Sequence, residues 1–340
     1  MKKITSILAI IGVLAIASPA LAATTSINFE NPPYTLGDID GQDGWSSTGP
    51  YDHAVSTSFS TPTFSAQSLR ISNAVTSGSF GDQTFSKSLA DDAGEPTAQP
   101  SSYSGGTRQS HFEAQFSLAS VMPTAQQSGL IMSVSPDRGD GARMSYLRFE
   151  DQATGVHVFF DDYQDALPRG TLASPANGCS IEDDFIETDI ATLNRAVPHT
   201  IKFAIDFVAG PANDIVKIYI DGALAHTGTT WEDYYRWCTE SGGGVVNGTT
   251  ADVSRAVDSL LFRTGGTAVI ANSGKGFLID NLSLLSGVAL TSPTNDQQCK
   301  KDGWMTFNNP TFKSQGQCKK FVKELNEHKE HKDDKDHNEE

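Results

Sequence analysis

"HTIKFAIDFVAGPANDIVKIYIDGALAHTG" (His199–Gly228) is the stretch that decides the fold. Ile201, Phe203, Ile205 and Phe207 alternate with less apolar residues, the period of a strand whose successive side chains face opposite sides of a sheet. Val216, Ile218 and Ile220 repeat the pattern, and Asp221-Gly222 supplies the positive φ that a tight two-residue hairpin turn requires. Between them "GPAND" (Gly210–Asp214) is turn chemistry. The stretch therefore predicts an antiparallel sheet with one buried face.

The same grammar extends in both directions. Short apolar alternations recur between Gly, Pro, Asn, Ser and Thr clusters, and no long stretch of the body holds a 3.6-residue apolar period. Strands are expected near 26–30, 67–72, 79–86, 111–117, 129–134, 143–150, 155–160, 199–208, 215–220, 223–227, 258–263 and 277–285. The fold class that follows is all-β: a two-sheet antiparallel jelly-roll sandwich over residues 23–287, with a small appendage behind it.

The ends of the chain set its compartment. Lys2 and Lys3, an apolar run from Ile7 to Ala17 and an Ala20-x-Ala22 site read as a secretory signal peptide over residues 1–22. The run is shorter than the about 20 residues that a bilayer requires, so membrane insertion is not expected. Without Lys2 and Lys3 the formal charge moves from −16 to −18. Such an acidic protein is a poor partner for nucleic acid, whose phosphates call for Lys and Arg in excess.

The opening "INFE" strand, the aromatic "DGW" that follows, the "QSLRIS" strand, the double hairpin above and the closing "GFLIDNLSL" together resemble a concanavalin A-like jelly roll. That superfamily includes laminin G-like modules, lectins and laminarinase-like glucanases. The body is also similar to a group of exported bacterial proteins, with "TTWEDYYR" and "DSLLFRTGGTA" as shared phrases. The resemblance implies a sandwich used for sugar binding, glycan hydrolysis or plain adhesion.

Two runs carry the chemistry. "IEDDFIE" places Glu182, Asp184 and Glu187 in the order E-x-D-x-x-E. In the glucanases such a run supplies a nucleophile, here Glu182, an orienting acid, Asp184, and an acid/base, Glu187. Strand alternation sets Glu187 on the opposite face unless a bulge restores the phase, so a solvated acidic loop or edge strand is the competing reading. "TTWEDYYRWC" puts Trp231, Tyr234 and Tyr235 on one helical face, with Trp237 one step on and Arg236 beside them. The rings suit stacking on pyranose faces, whereas the bland reading has them plug the end of the sandwich.

Four cysteines fit an oxidising compartment. Proximity in sequence favours Cys299 with Cys318, leaving Cys179 with Cys238, a bridge that would bring the acidic and aromatic runs to one rim. "CKKDGWMTFNNPTFKSQGQCKKFV" resembles a short exported bacterial tail module of the C-x-x-G-G-W type, with Asp302 and Ser314 as departures. This module spans 299–323 after a linker at 288–298, and such a small core needs a covalent staple. The charged tail 324–340, with His328, His331 and His337, is expected to be a solvated helix or disordered.

Jelly rolls of the resembled type often hold a structural Ca²⁺ where the first and last strands meet. Glu30, Asp280 and Asp43 match that pattern by position. "RGD" at 138–140 is a chance tripeptide in a turn. The expectation is a secreted protein that recognises a neutral glycan or cell-surface polymer without cleaving it; the alternatives are a glycoside hydrolase or a structural surface protein.

Overall fold

The computed structural model describes residues 23–57, 64–89, 111–137, 143–163, 185–208, 214–231, 257, 259–287, 292–301, 303–307 and 312–336. Two antiparallel sheets make the sandwich. The nine-stranded sheet contains β1 (Ala23–Ile27), β2 (Gly37–Asp38), β4 (Asp52–Ser56), β5 (Ser68–Ser72), β7 (His111–Ser120), β12 (His199–Asp206), β13 (Ile215–Ile220), β14 (Ala223–Gly228) and β16 (Phe277–Gly287). Its order is β14-β13-β12-β7-β16-β5-β4-β2, with β1 also pairing β16. The seven-stranded sheet contains β3 (Ser46–Thr48), β6 (Gln83–Phe85), β8 (Ile131–Asp137), β9 (Leu147–Gln152), β10 (Gly155–Tyr163), β11 (Phe185–Leu193) and β15 (Ser259–Thr264), in the order β11-β10-β9-β8-β15-β6-β3.

The double hairpin behaves as its alternation demands. Ile201, Phe203 and Ile205 are fully buried, as are Val216 and Ile218 opposite them. Removing each such side chain from water contributes roughly 1.5–3 kcal/mol, which is what holds the register. Asp221 and Gly222 both take positive φ, 52° and 82°, and close the turn between Ile220 and Ala223. From the other sheet Val134, Phe149, Val158, Phe160 and Phe262 enter the same core. Phe116 meets Phe149 and Phe262 edge-on at 6.4 and 6.3 Å, locking the two sheets together.

Four strands were not among those expected: β2, β3, β4 and β11. The opening strand also sits earlier than expected, at Ala23–Ile27, so that Phe29 and Glu30 follow it. At the C-terminus, Cys299 and Cys318 are bonded with their Cα atoms 5.8 Å apart. Cys299, Cys318 and Val322 are buried with Trp304, Phe307 and Phe312 packed against them, a core about as small as the staple argument anticipates. The helix α1 (Gln315–Asp336) includes residues 324–336 of the charged tail. Among the described residues no helix is long and apolar enough to cross a membrane.

Candidate functional site

On β10, Val156, Val158 and Phe160 enter the core, so His157, Phe159 and Asp161 emerge on the outer face of the seven-stranded sheet. Register then places polar side chains beside them. Glu150 of β9 lies opposite His157 and Arg148 opposite Phe159. On the other side β11 sets Asp189 opposite Phe159 and Glu187 opposite Asp161, after a bulge at Val158/Phe159. Ser133 of β8 pairs with Arg148, and Arg263 of β15 with Ser133, which continues the row across the sheet.

Arg148 organises this face. Its Nε and Nη2 donate to the two carboxylate oxygens of Glu187 at 3.1 and 2.7 Å, and Nη1 donates to Glu150 at 2.6 Å. The guanidinium carbon stands 4.0 Å from the centre of the Phe159 ring. Its pKa lies above the ordinary value: burial alone would lower it, but the bonds and charges of Glu187 and Glu150 outweigh that. His157 is bonded through Nδ1 to Asp189 at 2.7 Å and through Nε2 to Thr154 at 2.6 Å.

Asp161 is the exception in this network. Burial pushes its pKa up to about 6, the Glu187 charge adds to the effect, and Arg148 opposes it. A carboxyl of this kind is part protonated near pH 6 and stands beside a carboxylate that Arg148 holds bidentately.

Of the three candidate acids in "IEDDFIE", Glu187 lies on edge strand β11, and Glu182 and Asp184 fall outside the described residues. So do Tyr234, Tyr235, Arg236 and Trp237, and the pair Cys179 and Cys238. Trp231 corrects the platform expectation. It is only 7% exposed, stacked on Tyr146 at 5.6 Å and 16° between planes, with the Phe185 edge at 4.6 Å. Its Nε1 donates to the Asp161 carbonyl at 2.8 Å, and its backbone N–H donates to Met144 O at 3.0 Å. A ring so enclosed has no face left for a ligand; Trp231 is a wedge that fixes β9, β10 and β11 beneath the polar network. The acidic and aromatic runs nonetheless meet, through Phe185 and Trp231.

Asp161, Arg148, His157, Phe159 and Asp189 were absent from the sequence-derived site. The alternation in "GVHVFFDDY" places His157, Phe159 and Asp161 on one face, but only the register to β9 and β11 reveals their partners.

The proposed calcium ligands separate into two groups. Asp280 is fully buried at the point where β5 and β1 both meet β16, beside the bulge after Asp280. It accepts bonds from the backbone N–H groups of Ser65 and Asn281 at 2.9 and 2.8 Å. Burial raises its pKa, the two backbone bonds and Ser65 counter this, and Glu30 adds a further rise, so the two acids sense each other. Glu30 accepts from Gln67 N at 2.8 Å, and the buried Oε1 of Gln67 has no hydrogen-bond donor among the described residues. Carboxylates and an amide oxygen are of the donor type that a hard cation takes. Asp43 does not join them: it accepts from Tyr34 Oη at 3.1 Å and from Lys87 Nζ at 2.8 Å. Among the described residues no three His, Cys, Asp or Glu side chains gather as a metal cluster.

No family model matches the chain, and no curated protein is similar to it. Solved structures resemble it at low identity. A sialidase aligns with 82% of this chain at 10% identity and a TM-score of 0.38, and the chain spans 19% of that protein's length. The binding domain of botulinum neurotoxin serotype D aligns with 78% at 10% identity and a TM-score of 0.38, and 47% of it is covered. An endo-1,3-beta-glucanase from Streptomyces sioyaensis aligns over its whole length with 74% of this chain, at 11% identity and a TM-score of 0.32. Similarities at this level concern the arrangement of strands and carry nothing about ligands.

Proposed function

We propose that the protein binds a neutral glycan or surface polymer through the outer face of β9, β10 and β11, without cleaving it. The observation that supports this reading is the preorganised network around Arg148: a guanidinium shared between Glu187 and Glu150, laid over Phe159 and flanked by Asp161, His157 and Asp189. Fixed carboxylates and guanidinium groups hydrogen-bond sugar hydroxyls, and a neighbouring ring contacts the apolar C–H face. The chain's charge of −16 argues for a neutral ligand, and the leader-like N-terminus supports action outside the cell.

Retention of the purified chain on insoluble curdlan, cellulose and chitin tests the reading. Arg148→Ala should reduce retention at least tenfold on the polymer that the native chain binds. Retention on none of these and no binding across a wider glycan panel would leave the sandwich without this role.

A second reading is favoured by one observation, the raised pKa of Asp161 beside Glu187. In it Asp161 protonates the glycosidic oxygen and Glu187 is the partner carboxylate, replacing the Glu182/Glu187 pair. The bidentate hold of Arg148 on Glu187 occupies the oxygens that a nucleophile or base needs, which is why binding ranks first. New reducing ends that disappear in Asp161→Asn would reverse that order. As a separate proposal, Glu30 and Asp280 hold a structural Ca²⁺ that braces the β1–β16 junction; without Asp43 the set is completed by backbone or amide oxygens.

A further inference from the structure

The segment Thr76–Asp82, "TSGSFGD", joins β5 to β6 and is held with unusual completeness. The carboxylate of Asp82, 4% exposed, accepts from Thr76 Oγ1 at 2.8 Å, from Ser77 N at 2.5 Å and from Ser77 Oγ at 2.8 Å. Four successive carbonyls are then tied to the body. Arg263 donates to Gly78 O at 2.7 Å and to Ser79 O at 3.0 Å, Arg143 donates to Phe80 O at 3.2 Å, and Thr48 Oγ1 donates to Gly81 O at 2.7 Å. Gly78, at φ 77°, has only 2.8 Å between an added Cβ and Gly266 O, so the loop has no room for a side chain there.

What this clamp presents is a phenyl ring. Phe80 is 58% exposed, although the guanidinium carbons of Arg263 and Arg143 lie 4.3 and 5.0 Å from its ring centre. Both arginines are buried, at 6% and 2% exposure, and burial lowers the Arg263 pKa, with Arg143 adding to the effect. Asp82 and the carbonyl bonds offset the burial of Arg263, whereas fixing an apolar ring toward water contributes little to folding. Such a ring suits a contact surface, since a ring already immobilised loses little entropy on binding.

Its position relates it to the site above. Arg263, Ser133 and Arg148 are cross-strand neighbours on β15, β8 and β9, so the two arginine positions are about 10 Å apart. Each supports a ring on the same face, Arg148 under Phe159 and Arg263 under Phe80. We propose that Phe80 is a stacking subsite for a neutral pyranose ring of the same glycan chain that meets Arg148 and Phe159. This rests on the glycan-binding reading. The donors of Arg263 are already directed to two carbonyls and to Tyr146, which leaves the apolar sugar face, rather than an anionic group, as the natural contact.

The test uses the full chain on curdlan, cellulose and chitin, with laminarihexaose, cellohexaose and chitohexaose as soluble probes. Phe80→Ala should lower affinity for the bound polymer at least tenfold while its melting temperature stays within about 2 °C of native, because the ring is exposed. Phe80→Trp should keep binding, and the emission of its added tryptophan should shift to the blue with the matching hexasaccharide. Native-level binding by Phe80→Ala, alongside loss in Arg148→Ala, would overturn the subsite and leave the glycan reading intact. Loss of binding in Phe80→Ala with no emission shift in Phe80→Trp would also overturn it. Failure of the native chain to bind any of the three polymers or hexasaccharides would overturn both.

Discussion

The outer faces of the two sheets carry the same kinds of residue and treat them oppositely. On the nine-stranded sheet Glu113 has Lys202 Nζ at 2.7 Å and His111 Nε2 at 3.2 Å, and His111 turns its Nδ1 to Asp206 at 2.7 Å. Burial would raise the Glu113 pKa, but these partners bring it below the ordinary value. On the seven-stranded sheet Asp161 faces Glu187 across the strand pair, and the nearest cation is already committed to Glu187. Its pKa rises. Around Glu113 each charge is neutralised locally; around Asp161 an acid is kept beside an acid over a buried aromatic wedge.

The largest effect that separates the faces lies in the wedge. Trp231→Ala should cost about 3–5 kcal/mol and lower the melting temperature by roughly 10 °C, because a large ring is removed from an enclosed place. Tyr219→Ala, on the half-buried outer face of β13 under Lys202, should cost about 1 kcal/mol. Thermal unfolding of the two variants checks this; equal losses would return Trp231 to the surface. Next comes Arg148→Met, expected to cost about 2 kcal/mol because Glu150, Glu187 and Asp161 are left together without their cation. The partners are partly exposed, which keeps the figure low. Lys202→Met should cost at most about 1 kcal/mol.

The difference between the faces also predicts opposite pH slopes. Asp161 has a folded pKa raised to about 6, so its contribution to stability is full below the unfolded value near 4 and is lost as pH rises through 6. Asp161→Asn should therefore be more stable than the native chain by about 1–2 kcal/mol at pH 7, with the gap closing below pH 4. Glu113 has the reverse sign: its contribution is present above the ordinary glutamate range and is lost as pH falls. Glu113→Gln should be less stable by about 1 kcal/mol at pH 7 and match the native chain in acid. Urea unfolding at pH 3, 5.5 and 7 measures both, and parallel slopes would remove the contrast.

Much of the architecture was legible because its signal is local. Ile201, Phe203 and Ile205 declare their period, and Asp221-Gly222 declares its turn. β11 escaped because "FIETDIATL" is exposed along most of its length and slips phase at the Val158/Phe159 bulge, so alternation breaks down at an edge strand. The short β2, β3 and β4 lack enough apolar residues to announce themselves. Glu187 was named as a candidate from its spacing, yet its partner Arg148 lies 39 residues away and is brought to it only by register. Trp231 was legible as a plug for the end of the sandwich, but not the strands it would meet: its backbone bond to Met144 and the rings of Tyr146 and Phe185 seat it against the sheet. Pairing across strands is non-local information, and the candidate site is made almost wholly of it.

Asp280 gives the comparison its finest test, since it is an acid of the nine-stranded sheet whose pKa is raised rather than lowered. If the orderly face is truly one of local neutralisation, a cation must complete it at the β1–β16 junction. Calcium at about five times its dissociation constant should then stabilise the native chain by about 1 kcal/mol over the chelated protein, a shift of a few degrees in melting temperature. Asp280→Asn should abolish the calcium response, and Asp43→Asn should keep it, because Asp43 is engaged with Tyr34 and Lys87 instead. A native chain whose melting is the same in calcium and in chelator would show that Asp280 and Glu30 are tolerated as a buried like-charge pair. The contrast between the faces would then hold for Glu113 and fail for the sheet as a whole.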